Sequence, residues 1–135
     1  MPHPRGLTAA VLSLSAAALA AACSSSNMSP STTGGTCTAS STSTTITISN
    51  NAVCPQNITV PRGTQVTFVN NDTKTHEMNS DPHPTHEDCP EINAVGNLVP
   101  GQSRQTSNLV TPKKCGFHDH IAFEVKALQG SITIQ

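Results

Sequence analysis

Histidine and cysteine carry most of the chemistry this chain offers. Five of its six histidines fall in three late groups. These are His76, then His83 and His86 within Asp81-Pro82-His83-Pro84-Thr85-His86, then His118 and His120 within Cys115-Gly116-Phe117-His118-Asp119-His120. A lone surface histidine is ordinarily just a solvated side chain. Five beside turns and strand ends point to metal, because imidazole is the commonest biological metal ligand. Spacing sharpens this. Residues i and i+2 on a strand share a face, so His118 and His120 can reach one ion while Asp119 points away. His76 and Met78 share parity in the same way. Cys115 and His118 have opposite parity on a straight strand and converge only if the chain bends at Gly116. No glycine-rich phosphate loop or GxSxG nucleophile competes. Only Glu77 and Asp119 offer an acid or base beside the histidines, so the chain is read as a non-enzyme.

These side chains must be held by strands. Charged residues make up 11% of the chain, against about 25% in an average protein. There are three Phe, no Trp and no Tyr. Thr, Ser, Val, Ile, Asn, Pro and Gly dominate, which suits strands and turns and not a helical bundle. A net charge of -1 leaves no basic face for nucleic acid. Thr45–Ser49, Asn57–Val60, Gln65–Val69, His76–Ser80 and Ser131–Gln135 read as short strands, several with period-two alternation. Ser103–Val110 and Lys113–His120 add two more, and 81–97 reads as a long irregular loop. Val66, Phe68, Ile132 and Ile134 alternate as core. About seven short strands predict an all-β sandwich or barrel over 46–135.

The strand, turn and histidine pattern resembles the cupredoxins, the small copper proteins of the plastocyanin and azurin type. The carrying residues are Ile58 through Asp72, then His76, Pro100-Gly101-Gln102-Ser103, and Cys115-Gly116-Phe117-His118. The resemblance implies a Greek-key β-sandwich, copper as cofactor and electron transfer as function. It also implies His76 and His118 as imidazole ligands, with Cys115 as thiolate. The family's axial Met is missing here, because His120, Ile121, Ala122 and Phe123 occupy the positions after His118. Phe117-His118-Asp119-His120 also resembles the aromatic-His-x-His motif of multicopper oxidases. His83-Pro84-Thr85-His86 with His118-Asp119-His120 is similar to exported cupredoxin-like proteins that carry a His-Pro-x-His loop. That resemblance implies copper on His76, His118 and His120, with His83 or His86 as weaker ligands. Zinc is the lesser alternative, since imidazole suits both metals.

Export and cysteine pairing are linked. Leu7 to Ala22 is uncharged and rich in Ala and Leu, and it ends in Ala20-Ala21-Ala22-Cys23. That pattern predicts a signal peptide over 1–22. Leu19 to Cys23 resembles a lipobox, which implies lipidation at Cys23 and a membrane anchor in the cell envelope, facing periplasm or exterior. Residues 23–45 read as a Ser/Thr-rich flexible tether. In an oxidising compartment disulfides persist. Cys37, Cys54, Cys89 and Cys115 remain, and sequence order favours Cys37 with Cys54 and Cys89 with Cys115. The second bridge would remove Cys115 as a thiolate and leave a histidine-only site. Two roles stay open: an electron carrier with a redox partner, or a copper carrier serving a copper-handling partner.

Overall fold

The structure is a computed structural model and describes residues 37–135. The signal segment, Cys23 and the first part of the tether lie outside the described residues. Nine strands form two sheets with no closed barrel among the described residues, where the alternation had predicted about seven. They are β1 (Thr45–Ser49), β2 (Ala52–Cys54), β3 (Asn57–Val60), β4 (Thr67–Asn70), β5 (His76–Ser80), β6 (Gly96–Leu98), β7 (Ser103–Gln105), β8 (Lys114–Asp119) and β9 (Gly130–Ile134). One sheet runs β2-β1-β4-β7 and the other β3-β9-β8-β5-β6. Both are mixed, since β1 pairs with β4 and β3 with β9 in parallel.

The alternating residues meet between the sheets. Ile46, Ile48 and Phe68 come from one sheet, and Ile58, Val60, Met78, Phe117, Ile132 and Ile134 from the other; all are buried. Phe68 and Phe117 meet edge to face, centroids 5.2 Å apart, so Phe117 is a core residue. A Cβ on Gly130 would run into the Phe117 ring and the Gln56 carbonyl. Glycine is required there to let β9 pass the ring.

Three expectations change. Residues 37–44 were read as tether, yet they are fastened to the domain. Cys37 is bridged to Cys54, Thr59 N–H donates to the Ser41 carbonyl at 2.7 Å, and Thr67 N–H donates to that of Thr44 at 2.9 Å. The 81–97 loop contains a 3-10 turn at Pro90–Ala94 and most of β6. Ser103–Val110 is a strand only through Gln105.

Candidate metal centre

Register decides which histidines can meet. In the antiparallel pairing of β5 with β8, Met78 faces Asp119, Asn79 faces His118 and Ser80 faces Phe117. Paired residues share a sheet face. His76, Met78, Ser80, Cys115, Phe117 and Asp119 therefore point inward to the core. Glu77, Asn79, Gly116 and His118 point outward. His120 continues the outward row, its N–H donating to the Glu77 carbonyl at 2.6 Å.

His76 was expected beside His118 at the metal. The sheet separates them, with His76 on the inner face. His76 Nδ1 lies 2.7 Å from Asp119 Oδ2. Its Nε2 is 3.5 Å from Asp72 Oδ2, too long for a full hydrogen bond. Asp119 Oδ1 accepts from the backbone N–H of Glu77 and Ile121, each at 3.0 Å. Asp119 is thus the buried partner of His76 and locks the turn between the two outward histidines.

Cys115 was expected as a candidate thiolate. It is bridged to Cys89, with Cα atoms 5.8 Å apart. β8 stays straight through Gly116, so the bend that would bring Cys115 to His118 does not occur. The bridge instead ties the start of the 3-10 turn to β8. The His83–His86 loop lies beside the outward His118 and His120.

There, His86, His118 and His120 offer ligand nitrogens that all lie within 4.8 Å of one another. His118 Nδ1 is 2.6 Å from Asp81 Oδ1. That carboxylate holds the Nδ1–H tautomer and leaves the Nε2 lone pair free. His118 Nε2 is buried with no hydrogen-bond partner among the described residues. His120 Nδ1 and His86 Nε2 are 3.0 Å apart, one ring donating its N–H to the other. His86 is clamped from behind, with Asn93 Nδ2 donating to its carbonyl at 2.8 Å. Its φ of 53° is left-handed. A non-glycine residue pays on the order of 1–3 kcal/mol for such backbone, which is typical of functional sites. His83 is close by but stacks on Phe123, centroids 4.0 Å apart and planes 7° apart.

Two of these histidines, His86 and His83, resist protonation. His86 titrates below the ordinary histidine value because burial disfavours its charge, and His120, His118 and His83 repel it; the Glu77 carboxylate opposes this. His83 is lowered too, by desolvation first and then by His120 and His118. Neutral imidazoles are the form a metal takes.

Asp81, Asn93 and Phe123 were not singled out from the sequence. Asp81 had one signal. It precedes the His-Pro-x-His loop, and Gly116 leaves room for it: a Cβ on Gly116 would land on the Asp81 carboxylate. Phe123 gave none beyond being a rare aromatic.

The sequence pattern of the cupredoxin-like domain family matches residues 11–134. This chain belongs to that family. No curated protein sequence matches this cupredoxin-like chain. Its fold is similar to a purple cupredoxin from Nitrosopumilus maritimus, at 18% identity and TM-score 0.53, over 67% of this chain and 98% of that one. Oxidised plastocyanin from Dryopteris crassirhizoma is similar at 20% identity and TM-score 0.53, over 67% and 99%. A copper-containing nitrite reductase from Thermus scotoductus SA-01 matches at 20% identity and TM-score 0.54, over 67% of this chain but 22% of that one. At such identities the likeness is one of fold.

The donor set of this cupredoxin fits copper. Metal–imidazole bonds of about 2.0 Å put two ligand nitrogens up to roughly 4 Å apart across an ion. The cluster needs only a small contraction. A metal would replace the His86–His120 hydrogen bond and satisfy His118 Nε2, which otherwise costs about 1–3 kcal/mol as a buried unpaired group.

Proposed function

We propose that this chain is an exported, membrane-tethered copper protein that holds one ion on His86, His118 and His120 and passes single electrons. The observation that carries it is the convergence of three ligand nitrogens within 4.8 Å, on a cluster where His118 Nε2 is buried with no hydrogen-bond partner among the described residues. When bound, copper supplies a one-electron couple. The protein supplies His118 from β8, His120 just after it and His86 from the facing loop, with His118 held by Asp81 and the adjacent turn by Asp119. Holding these three ligands in place limits their own rearrangement on electron transfer. The fold likeness to a purple cupredoxin and to oxidised plastocyanin supports the same reading. Asp119 faces the core, Asp81 is engaged by His118 Nδ1 and Glu77 is left beside the histidines, which favours a carrier over a catalyst. The lipobox-like segment ending at Cys23 and the two disulfides fit an oxidising envelope compartment, with a redox protein as partner.

One observation favours a second role. Cys115 is bridged to Cys89, so no thiolate tunes the ion. His86 and His120 are only partly buried. A histidine-only site open at one side also suits copper uptake and release.

Loading the oxidised chain with Cu(II) tests the site. The expected result is one ion per chain, imidazole nitrogen coupling by electron paramagnetic resonance, and no intense thiolate-to-copper band. An intense band lost in Cys115→Ser would overturn it. Voltammetry then separates the roles. An electron carrier keeps its copper through repeated reduction, whereas a copper carrier yields it to a Cu(I) chelator.

A further inference from the structure

We propose that His83 is a fourth, movable copper ligand and that Phe123 is its resting place. The inference rests on the His86, His118 and His120 reading and deepens it. The four imidazoles form a compact tetrad. Their six centroid distances are 6.0, 5.6 and 4.9 Å from His83 to His86, His118 and His120, and 5.2, 4.8 and 6.5 Å among those three. His83 therefore sits as close to the others as they sit to one another. Yet only three of the four present nitrogens to a common point, because the His83 ring lies flat on Phe123.

The loop makes this a side-chain choice. Pro82 and Pro84 flank His83 and fix φ on either side. His86 N–H donates to the Pro82 carbonyl at 2.8 Å, and Asp88 N–H to that of Asp81 at 2.9 Å. The backbone is thus held while the ring is free to turn. An open cavity of ≈ 520 Å³ gives it room, lined in part by Asp81, Pro82, His83, His118 and Phe123. Phe123 is 41% exposed, an aromatic at the surface whose face is covered by His83.

The chemistry that selects between the positions is the oxidation state. Cu(II) favours tetragonal nitrogen and oxygen ligation, which a fourth imidazole completes. Cu(I), formed when a one-electron donor such as ascorbate reduces the site, is satisfied by three. His83 then leaves as a neutral imidazole and returns to the Phe123 stack, with no bond made or broken except the one to copper.

The test uses the full chain and copper alone, with the imidazole count in Cu(II) read by pulsed electron paramagnetic resonance. Four imidazoles are expected in the native chain and in Phe123→Ala, and three in His83→Ala. His83→Ala should lose roughly tenfold or more in Cu(II) affinity, the floor set by losing even an indirect support of a ligand. Its Cu(I) affinity, by chelator competition, should stay unchanged. The potential then rises by about 59 mV for each tenfold. An equal imidazole count in native and His83→Ala chains would overturn the proposal, as would equal losses for both oxidation states. His118→Ala separates the two levels of inference. A native spectrum in that variant would sink the three-histidine site itself, whereas its loss beside an unchanged His83→Ala spectrum sinks only the fourth ligand.

Discussion

Asp81 touches the site through one hydrogen bond, 2.6 Å from its Oδ1 to His118 Nδ1. A carboxylate there keeps the proton on Nδ1, aims the ring and raises the basicity of Nε2. Asp81→Asn weakens all three. Copper affinity should fall about 10–100-fold, the usual cost of losing such a partner. The Asp81 side chain is 49% exposed, so the melting temperature of the metal-free domain should hardly move. Gly116→Ala reaches the same bond from the other side, since its Cβ would displace the Asp81 carboxylate. Competition titration against a copper chelator checks both variants. Native affinity in Asp81→Asn would show that His118 needs no orienting partner.

Between β5 and β8 the inner face carries a support the outer face depends on. His76 and Asp119 form a buried pair, at 2% and 1% side-chain exposure. Replacing His76 with Phe leaves Asp119 Oδ2 without its partner. Loss of a hydrogen bond to a charged group costs about 1.5–3 kcal/mol, so chemical denaturation should show a drop of that order. Copper binding should weaken as well, because Asp119 sets the turn between His118 and His120. Undiminished copper affinity in a destabilised His76→Phe would mean the turn is held by other bonds. A second support titrates. Asp72 accepts from the N–H groups of Asn51 and Thr73, which hold its carboxyl below the usual value of 3.8. Its contribution is present above that pH and is lost as the pH falls through its lower folded value. An Asp72→Asn variant should therefore show less acid-dependent unfolding than the native chain.

These pairings also explain what could be read beforehand. The short-strand readings located β1, β3, β5 and β9, and period-two parity put His118 and His120 on one face with Asp119 on the other. Parity within one strand is local. Whether His76 joins His118 depends on the register between β5 and β8, which no single strand encodes. The same holds for Asp81 and Asn93, brought to the site by a loop and a 3-10 turn with no period to follow. β2 was hidden because three residues between a turn and Pro55 show no alternation. Cys115 and His118 kept their opposite parity because the ladder through β8 is unbroken.

Across the whole domain, the two disulfides divide their work. Cys37–Cys54 closes a separation of 17 residues and fastens the chain entering β1. Cys89–Cys115 closes 26 residues and holds the segment that carries His86 against the sheet that carries His118. Closing loops of these lengths stabilises by about 3–4 kcal/mol each through the unfolded chain. Either paired Cys→Ser change should thus lower Tm by on the order of 15–25 °C in a domain this size. Copper tells them apart. Removing Cys37–Cys54 should leave copper affinity near native below the new Tm, because no ligand lies in its loop. Removing Cys89–Cys115 frees the loop that must order around the ion, and affinity should fall even where the domain stays folded by circular dichroism. A folded Cys89→Ser/Cys115→Ser chain with native copper affinity and no change in ligand count would mean that the hydrogen bonds from Asn93 and to the Pro82 carbonyl fix His86 unaided. The expected loss would tie copper retention to the oxidising compartment that keeps the bridge closed.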